Sequence, residues 1–105
     1  MAANPVHIYV VDDSADNRFL LQALLEGEGY QVTALESGPQ MLSGIAEQLP
    51  DLVLLDVMMP EMSGYEATQK LRSMEALPFI PILLVMAHER SSVVAGLDKI
   101  GRAHV

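Results

Sequence analysis

Three aspartates stand where apolar segments of the sequence end. Asp12 and Asp13 directly follow the apolar, β-branched run of residues 7–11, and Asp56 closes a second apolar run that begins at Leu52. Carboxylates are the oxygen ligands that Mg²⁺ prefers, and a carboxylate beside a metal ion can attack phosphorus as a nucleophile. An aspartate after a strand is also a common turn or capping residue. The choice between these roles depends on whether the fold brings the three together.

Four segments are predicted to form strands, and three of them are continuous apolar runs. Such runs are typical of strands that are buried on both faces, as in a parallel sheet. The predicted strands are His7–Val11, Gln31–Leu35, Leu52–Asp56 and Ile82–Met86.

Helices are predicted to follow the strands. Capping side chains indicate their starts, and glycine or proline indicates several of their ends. The helices are predicted to begin at Asp13 or Ser14, at Ser37, at Ser63 or Tyr65, and near Arg90. Two apolar faces are expected, one shared by Phe19, Leu20, Ala23 and Leu24, and one formed by the inward-facing Met41, Leu42, Ile45 and Leu49.

The alternation of strands and helices predicts an α/β fold, a doubly wound parallel sheet of the flavodoxin-like kind. Ligands bind such sheets where the winding reverses, between strands one and three, and both of these strands end in aspartate. Asp12, Asp13 and Asp56 are therefore predicted to meet. We predict a Mg²⁺ ion held mainly by Asp13 and Asp56, with Asp12 acting through a water and the Met58 carbonyl as a further ligand.

Three motifs resemble the receiver domains of two-component response regulators. They are VVDDS at residues 10–14, LLDVMMPEMSG at 54–64 and IPI at 80–82, and the resemblance extends over residues 8–99. It implies the flavodoxin-like receiver fold and a role in phosphorelay signalling rather than as an enzyme. It also implies a histidine kinase or phosphotransfer protein as partner, with an output domain or a homodimer as further possibilities.

The resemblance also implies a role for each acidic residue. Asp56 would accept a phosphoryl group from a phosphohistidine of the kinase, and Asp12 and Asp13 would organise Mg²⁺. The backbone carbonyl of Met58 would complete the protein ligands of the metal ion.

The sequence departs from the family pattern at the end of the fourth strand. Receivers place Thr or Ser there, where the hydroxyl contacts a phosphoryl oxygen and couples phosphorylation to a loop shift. Met86 occupies this position, and a thioether cannot donate that hydrogen bond. The usual coupling is therefore expected to be weakened.

A second departure lies after Lys99. The family continues into a fifth strand that ends in a lysine, then a fifth helix, and both are predicted to be missing here, which leaves the strand order 2-1-3-4. Neither Lys70 nor Lys99 matches the family's lysine. We interpret residues 100–105 as a non-native tail on a single receiver domain that spans residues 1–105.

Composition excludes several other roles. The net charge of -8 opposes attraction to nucleic acid and to anionic membranes, and the absence of cysteine excludes thiolate chemistry. Apolar runs are much shorter than the roughly 20 residues of a membrane span, and the first residues do not resemble a signal peptide. The protein is predicted to be cytoplasmic. His7 and His88 are interpreted as exposed strand-end residues, and Met58, Met59 and Met62 as packing residues.

The same residues bear on three alternatives to a phosphoacceptor. A receiver-like interaction module that is not phosphorylated is favoured by Met86 and by the absent lysine, and opposed by the three aspartates. A haloacid dehalogenase type phosphatase needs an Asp-x-Asp spacing, which Asp12-Asp13-Ser14 lacks. A flavodoxin needs hydroxyls and amides where this sequence places acids, which would repel the phosphate of the flavin.

Overall fold

A four-stranded parallel sheet forms the centre of the chain. The structure is a computed structural model and describes residues 5–86. The strands pair in the order β2-β1-β3-β4, and their bounds are β1 (His7–Val11), β2 (Gln31–Leu35), β3 (Leu52–Asp56) and β4 (Ile82–Val85). The predicted parallel sheet with strand order 2-1-3-4 is confirmed. The predicted helix near Arg90 and the segment predicted as a tail lie outside the described residues.

Three helices connect the strands within residues 5–86, and each begins behind a serine cap. They are α1 (Ala15–Gly27), α2 (Gly38–Glu47) and α3 (Gly64–Arg72). The hydroxyls of Ser14, Ser37 and Ser63 each accept a hydrogen bond from the backbone N–H three residues further along. Such a cap stabilises a helix by about 1 kcal/mol, so these serines fix where each helix leaves the sheet. None of the helices between residues 5 and 86 has the length and apolar character that crossing a bilayer requires.

The sheet separates two apolar layers, because its strands send alternate side chains to opposite faces. One layer joins α2 and α3 to the sheet, and its largest buried members include Met41, Ile45, Val53 and Leu55. The other joins α1 to the sheet through Ile8, Val10, Leu21, Leu25 and Leu54. Helices on both faces confirm the doubly wound arrangement.

Two predicted apolar faces differ from the structure. In α1 the residues that turn towards the sheet are Leu21 and Leu25, one turn apart, and the predicted face is exposed along the helix at Phe19, Leu20, Ala23 and Leu24. In α2, Met41 and Ile45 are buried as predicted, but Leu49 is exposed because the helix ends at Glu47. An amphipathic pattern alone could not decide which apolar side of α1 contacts the sheet.

The interpretation of His7 as an exposed residue is wrong. Its side chain is buried, its ring lies edge-on to Tyr9, and its Nε2 lies 2.7 Å from the Thr33 hydroxyl oxygen. Its backbone N–H donates to a carboxylate oxygen of Asp51 at 2.8 Å. Residue 7 begins the central strand β1 and has β2 and β3 on either side of it, so it has no exposed edge.

Tyr9 provides a test of this packing. Its hydroxyl donates a hydrogen bond to the carbonyl oxygen of Gln48 at the end of α2. Burial first, and then the negative charge of Glu47, raise the pKa of Tyr9. The stabilising contribution of this residue is therefore fully present below the ordinary tyrosine pKa of about 10, and it is lost as the pH rises through the higher folded-state value.

We expect Tyr9→Phe to lower the free energy of unfolding at neutral pH by about 1 kcal/mol, because the hydrogen bond from the buried Tyr9 to the Gln48 carbonyl is lost. The same variant should show a weaker loss of stability above about pH 10, where the Tyr9 hydroxyl ionises in the unfolded wild-type chain but is still protonated in the folded one. Urea unfolding across this pH range measures both effects. Tyr65→Phe, at an exposed position of α3, is the control and should match the wild type at neutral pH. An identical alkaline decline in Tyr9→Phe and the wild type would contradict the assignment.

Candidate metal centre

Strand register brings the three predicted aspartates together. Val11 of β1 pairs with Leu55 of β3, so the next residues in each strand direction, Asp12 and Asp56, lie side by side at the carboxyl edge of the sheet. One carboxylate oxygen from each of Asp12, Asp13 and Asp56 lies within 4.8 Å of the other two. Residues 44 positions apart in sequence thus form one acidic cluster.

Backbone turns orient two of these carboxylates. Oδ1 of Asp12 accepts a hydrogen bond from the N–H of Ser14 at 2.9 Å, and Oδ1 of Asp56 accepts one from the N–H of Met58 at 3.1 Å. Both are contacts of an aspartate with the residue two positions later, a geometry in which the side chain mimics a backbone turn. Asp12 and Asp56 are both 3% exposed, whereas Asp13 is exposed. The cluster therefore consists of two buried acids and one exposed acid.

The end of the loop after β3 is held close to the backbone of Asp56. The N–H of Gly64 donates to the carbonyl oxygen of Val57 at 3.0 Å, which brings the start of α3 against the end of β3. A Cβ atom on Gly64 would lie 2.5 Å from the carbonyl oxygen of Asp56 and 2.9 Å from Cα of Val57. The close approach of two backbones thus requires glycine here.

Glu61 in the same loop has a left-handed backbone, with φ of 67°. This conformation is unfavourable for a residue with a Cβ atom by roughly 1–2 kcal/mol. We expect Glu61→Gly to raise the free energy of unfolding by up to about 1 kcal/mol, because part of the relief is offset by the greater freedom of glycine in the unfolded chain. Thermal or urea unfolding measures the change.

Glu75→Gly is the matched control for this substitution. Glu75 is also an exposed glutamate in a turn, between α3 and β4, but its φ is not positive. Glycine there gains no relief from strain and should lower stability by about 0.5–1 kcal/mol. Equal effects of the two substitutions would show that the backbone of residue 61 is not strained.

The methionines of this loop have three different environments. Met59 is buried and Met62 packs against the larger apolar layer, as predicted. Met58 is 68% exposed, so its interpretation as a packing residue is wrong. Its backbone N–H is fixed by the hydrogen bond to Asp56.

Met86 stands at the end of β4 beside the cluster. Val85 is the register partner of Asp56, and its carbonyl oxygen accepts a hydrogen bond from the N–H of Val57 at 3.0 Å. Met86 directly follows, with 37% of its surface exposed. The residue that departs from the family pattern therefore lies at the strand end next to Asp56.

Sequence reasoning missed Arg18, which lies in the first turns of α1. Its Nη1 donates to the carbonyl oxygen of Asp12 at 2.7 Å, and its Nη2 lies 3.4 Å from a carboxylate oxygen of Glu36. The only signal in the sequence was an arginine one turn into a helix that begins just after two acids. Such a position is more often a solvated surface charge.

The donor set suits a hard divalent cation. Every candidate ligand is an oxygen, two of the three carboxylates are buried, and the three oxygens within 4.8 Å of one another form a group that could hold a metal ion. Mg²⁺ and Ca²⁺ take such ligands, whereas zinc sites use nitrogen or sulfur ligands more often. The residues present therefore fit Mg²⁺.

Comparison with known proteins identifies the family. A family model described as the response regulator receiver domain matches residues 8–103. The chain belongs to this family. Receiver domains are signalling domains rather than enzymes in the usual sense, and they occur both in response regulators and in sensor kinases.

Individual relatives cover this receiver domain almost completely. It is 41% identical over 92 residues to the response regulator PleD of Caulobacter vibrioides, covering 87% of this chain and 20% of PleD. It is 40% identical over 98 residues to the transcriptional regulatory protein ZraR of Escherichia coli, covering 93% of this chain and 21% of ZraR. The chain spans about a fifth of the length of these relatives.

A solved receiver structure has the same fold. The receiver domain of the sensor histidine kinase PA1611 from Pseudomonas aeruginosa superposes with a TM-score of 0.74 at 30% identity, covering 82% of this chain and 70% of that one. That structure is described as having a magnesium ion coordinated in the active site cleft.

Proposed function

We propose that this receiver domain is a phosphoacceptor and that Asp56 takes up the phosphoryl group. The observation that carries the proposal is the position of Asp56, buried at the end of β3 with carboxylate oxygens of Asp12 and Asp13 within 4.8 Å. A capping or turn role would explain each acid alone, but it does not require three acids from two strands to meet.

The proposed reaction is a transfer from phosphohistidine to carboxylate. An oxygen of the Asp56 carboxylate attacks phosphorus, a P–O bond forms and the P–N bond to the donor imidazole breaks. The imidazole leaves with the electron pair of the broken bond and takes up a proton. The product is an aspartyl acyl phosphate on β3. The N–H of Met58, which donates to Asp56 Oδ1, keeps the carboxylate in a fixed orientation during the attack.

Asp12, Asp13 and Asp56, together with the backbone carbonyl of Met58, are the groups that we propose as Mg²⁺ ligands. When bound, the cation neutralises charge on the group being transferred. Support comes from the oxygen-only donor set and from the magnesium ion in the related receiver of PA1611. Asp12 and Asp56 are held by their own backbone turns, so the protein supplies a largely prearranged site.

The partner in the proposed function is a histidine kinase or a phosphotransfer protein. An output domain in the same protein or a homodimer would transmit the signal. Direct contact with nucleic acid is not part of the proposal, because the net charge of -8 opposes it. We propose that residues 1–105 belong to one receiver domain.

A direct experiment tests phosphoacceptor function without knowing the kinase. The purified chain is incubated with phosphoramidate, with and without Mg²⁺, and its intact mass is measured. We expect one phosphoryl group per chain, formed only when Mg²⁺ is present. A chain that is folded by circular dichroism and stays unmodified would contradict the proposal.

A receiver-like interaction module without phosphorylation is the second candidate. The observation that favours it is Met86, which stands beside Asp56 where the family pattern has a hydroxyl residue. Under this alternative neither the wild type nor Met86→Thr would take up a phosphoryl group. Under the first proposal both would, and Met86→Thr would react faster because a hydroxyl can hydrogen-bond to the transferred group.

A further inference from the structure

Arg18 connects three parts of the fold at the edge of the acidic cluster. It is the fourth residue of α1, and its side chain is 16% exposed. One guanidinium nitrogen donates to the carbonyl oxygen of Asp12 at 2.7 Å, and the other lies 3.4 Å from Glu36, the residue that follows β2. The guanidinium thus spans the ends of β1 and β2 from a position on the helix.

The carbonyl that Arg18 contacts belongs to the peptide unit between Asp12 and Asp13. On its other side, Asp12 is held by its N–H, which donates to the Leu35 carbonyl at 3.1 Å, and by the contact of its Oδ1 with Ser14. Asp13 is exposed and lies outside the strand. The orientation of the Asp12–Asp13 peptide therefore decides where the Asp13 carboxylate lies relative to Asp56.

We propose that Arg18 is a positioning residue for the acidic cluster. By holding the Asp12–Asp13 peptide, it sets the spacing of the Asp13 and Asp12 carboxylates to Asp56 and so the affinity of the site for a divalent cation. This inference rests on the proposed function, because it takes the cluster to be a cation site. Groups behind the ligands of a metal ion commonly change its affinity by 10- to 100-fold.

A purely electrostatic role for Arg18 would predict the opposite change in cation affinity when the residue is removed. A permanent positive charge beside three carboxylates repels a cation, so its removal alone would strengthen cation binding. Positioning predicts weaker binding on removal, because the peptide loses the donor that fixes it. Arginine suits positioning better than lysine, because its planar fork can contact two acceptors at once, whereas an ammonium group acts as a point charge.

The experiment uses Mn²⁺ as a probe and measures its free concentration by electron paramagnetic resonance in titrations of the whole chain. Arg18→Met keeps an unbranched apolar stem but removes the donors, and we expect binding about tenfold weaker than in the wild type. Arg18→Lys keeps the charge but has a single donor nitrogen, and should bind roughly two- to threefold more weakly. Glu36→Gln removes the charge of the second partner but leaves the Asp12 contact, and should stay within about twofold of the wild type.

Amide resonances in the metal-free chain give a readout that does not depend on binding. In Arg18→Met the resonances of Asp13 and Ser14 should shift and their hydrogen exchange should accelerate, while the Met58 amide at Asp56 stays unchanged. Glu36→Gln should leave the Asp13 and Ser14 amides at their wild-type exchange rates. An unchanged Asp13 amide in Arg18→Met would overturn the proposal.

The outcomes separate this inference from the proposed function. Wild type that does not bind Mn²⁺ would overturn the cation site itself, and the inference with it. Wild type that binds while Arg18→Met binds equally or more tightly would overturn only the positioning role. If Arg18→Met fails to fold, the Mn²⁺ affinity of Arg18→Lys is the test. An affinity equal to that of the wild type would then overturn the proposal.

Discussion

Replacing Asp56 by asparagine should abolish phosphoryl incorporation from phosphoramidate in the presence of Mg²⁺. Asparagine has nearly the same shape, and its amide oxygen can still accept the N–H of Met58, so the turn after β3 is preserved. The neutral amide is not a nucleophile towards phosphorus, and the cluster loses one of its three negative charges. We expect a fall of more than about a thousandfold in initial rate, the scale that follows loss of a nucleophile in other proteins. Intact mass over time measures it.

Asp16→Asn is the matched control for this substitution. Asp16 is an exposed acid in the first turn of α1, close in sequence to the cluster but not part of it. It should be phosphorylated at close to the wild-type rate, which separates the loss of Asp56 from a general loss of negative charge. Incorporation at the wild-type rate in Asp56→Asn would show that another side chain accepts the phosphoryl group.

Gly64→Ala should lower the free energy of unfolding by about 3 kcal/mol or more. The added Cβ would lie 2.5 Å from the carbonyl oxygen of Asp56, and the contacting atoms belong to backbone that cannot rotate away as a flexible side chain can. Overpacking commonly lowers stability by about 1–3 kcal/mol and occasionally by more, and we expect a large effect here because backbone atoms have to move. The loop must move away from β3, so phosphorylation of Asp56 should slow as well. Urea unfolding measures the stability change.

Gly27→Ala is the matched control at the end of α1. An added Cβ there has no atom within 4 Å, and the φ of Gly27 is not positive. We expect this substitution to stabilise the chain by about 0.5–1 kcal/mol, because alanine loses less backbone freedom on folding than glycine does. If Gly64→Ala and Gly27→Ala changed stability equally, the close backbone approach at Gly64 would not be real.

The strands and the acidic cluster could be predicted from the sequence because their signals are local. A continuous apolar run that ends in aspartate indicates a buried parallel strand, and β1, β2 and β3 have the predicted bounds. The fourth strand ends one residue earlier than predicted, at Val85. The strand order then brings Asp12, Asp13 and Asp56 together, because neighbouring parallel strands end at the same edge of the sheet.

The parts that the sequence did not indicate depend on contacts between distant residues. Apolar residues occur on more than one side of α1, and only packing against the sheet selects Leu21 and Leu25. The burial of His7 results from its central place between two other strands and from Thr33, 26 positions away. Arg18 contacts a backbone carbonyl. Every residue has a backbone carbonyl, so the residue types in the sequence do not indicate which carbonyl a side chain will contact.

The register of β1 and β3 has a thermodynamic consequence. In the unfolded chain, residues 12 and 56 are far apart and their carboxylates are hydrated separately. Folding brings them within 4.8 Å, so mutual repulsion opposes folding when no cation is present. A cation that needs all three acids binds the folded chain alone and raises its stability by RT ln(1 + [L]/Kd), about 2.7 kcal/mol at a concentration of 100 Kd. The melting temperature of the chain should therefore report the free concentration of such a cation.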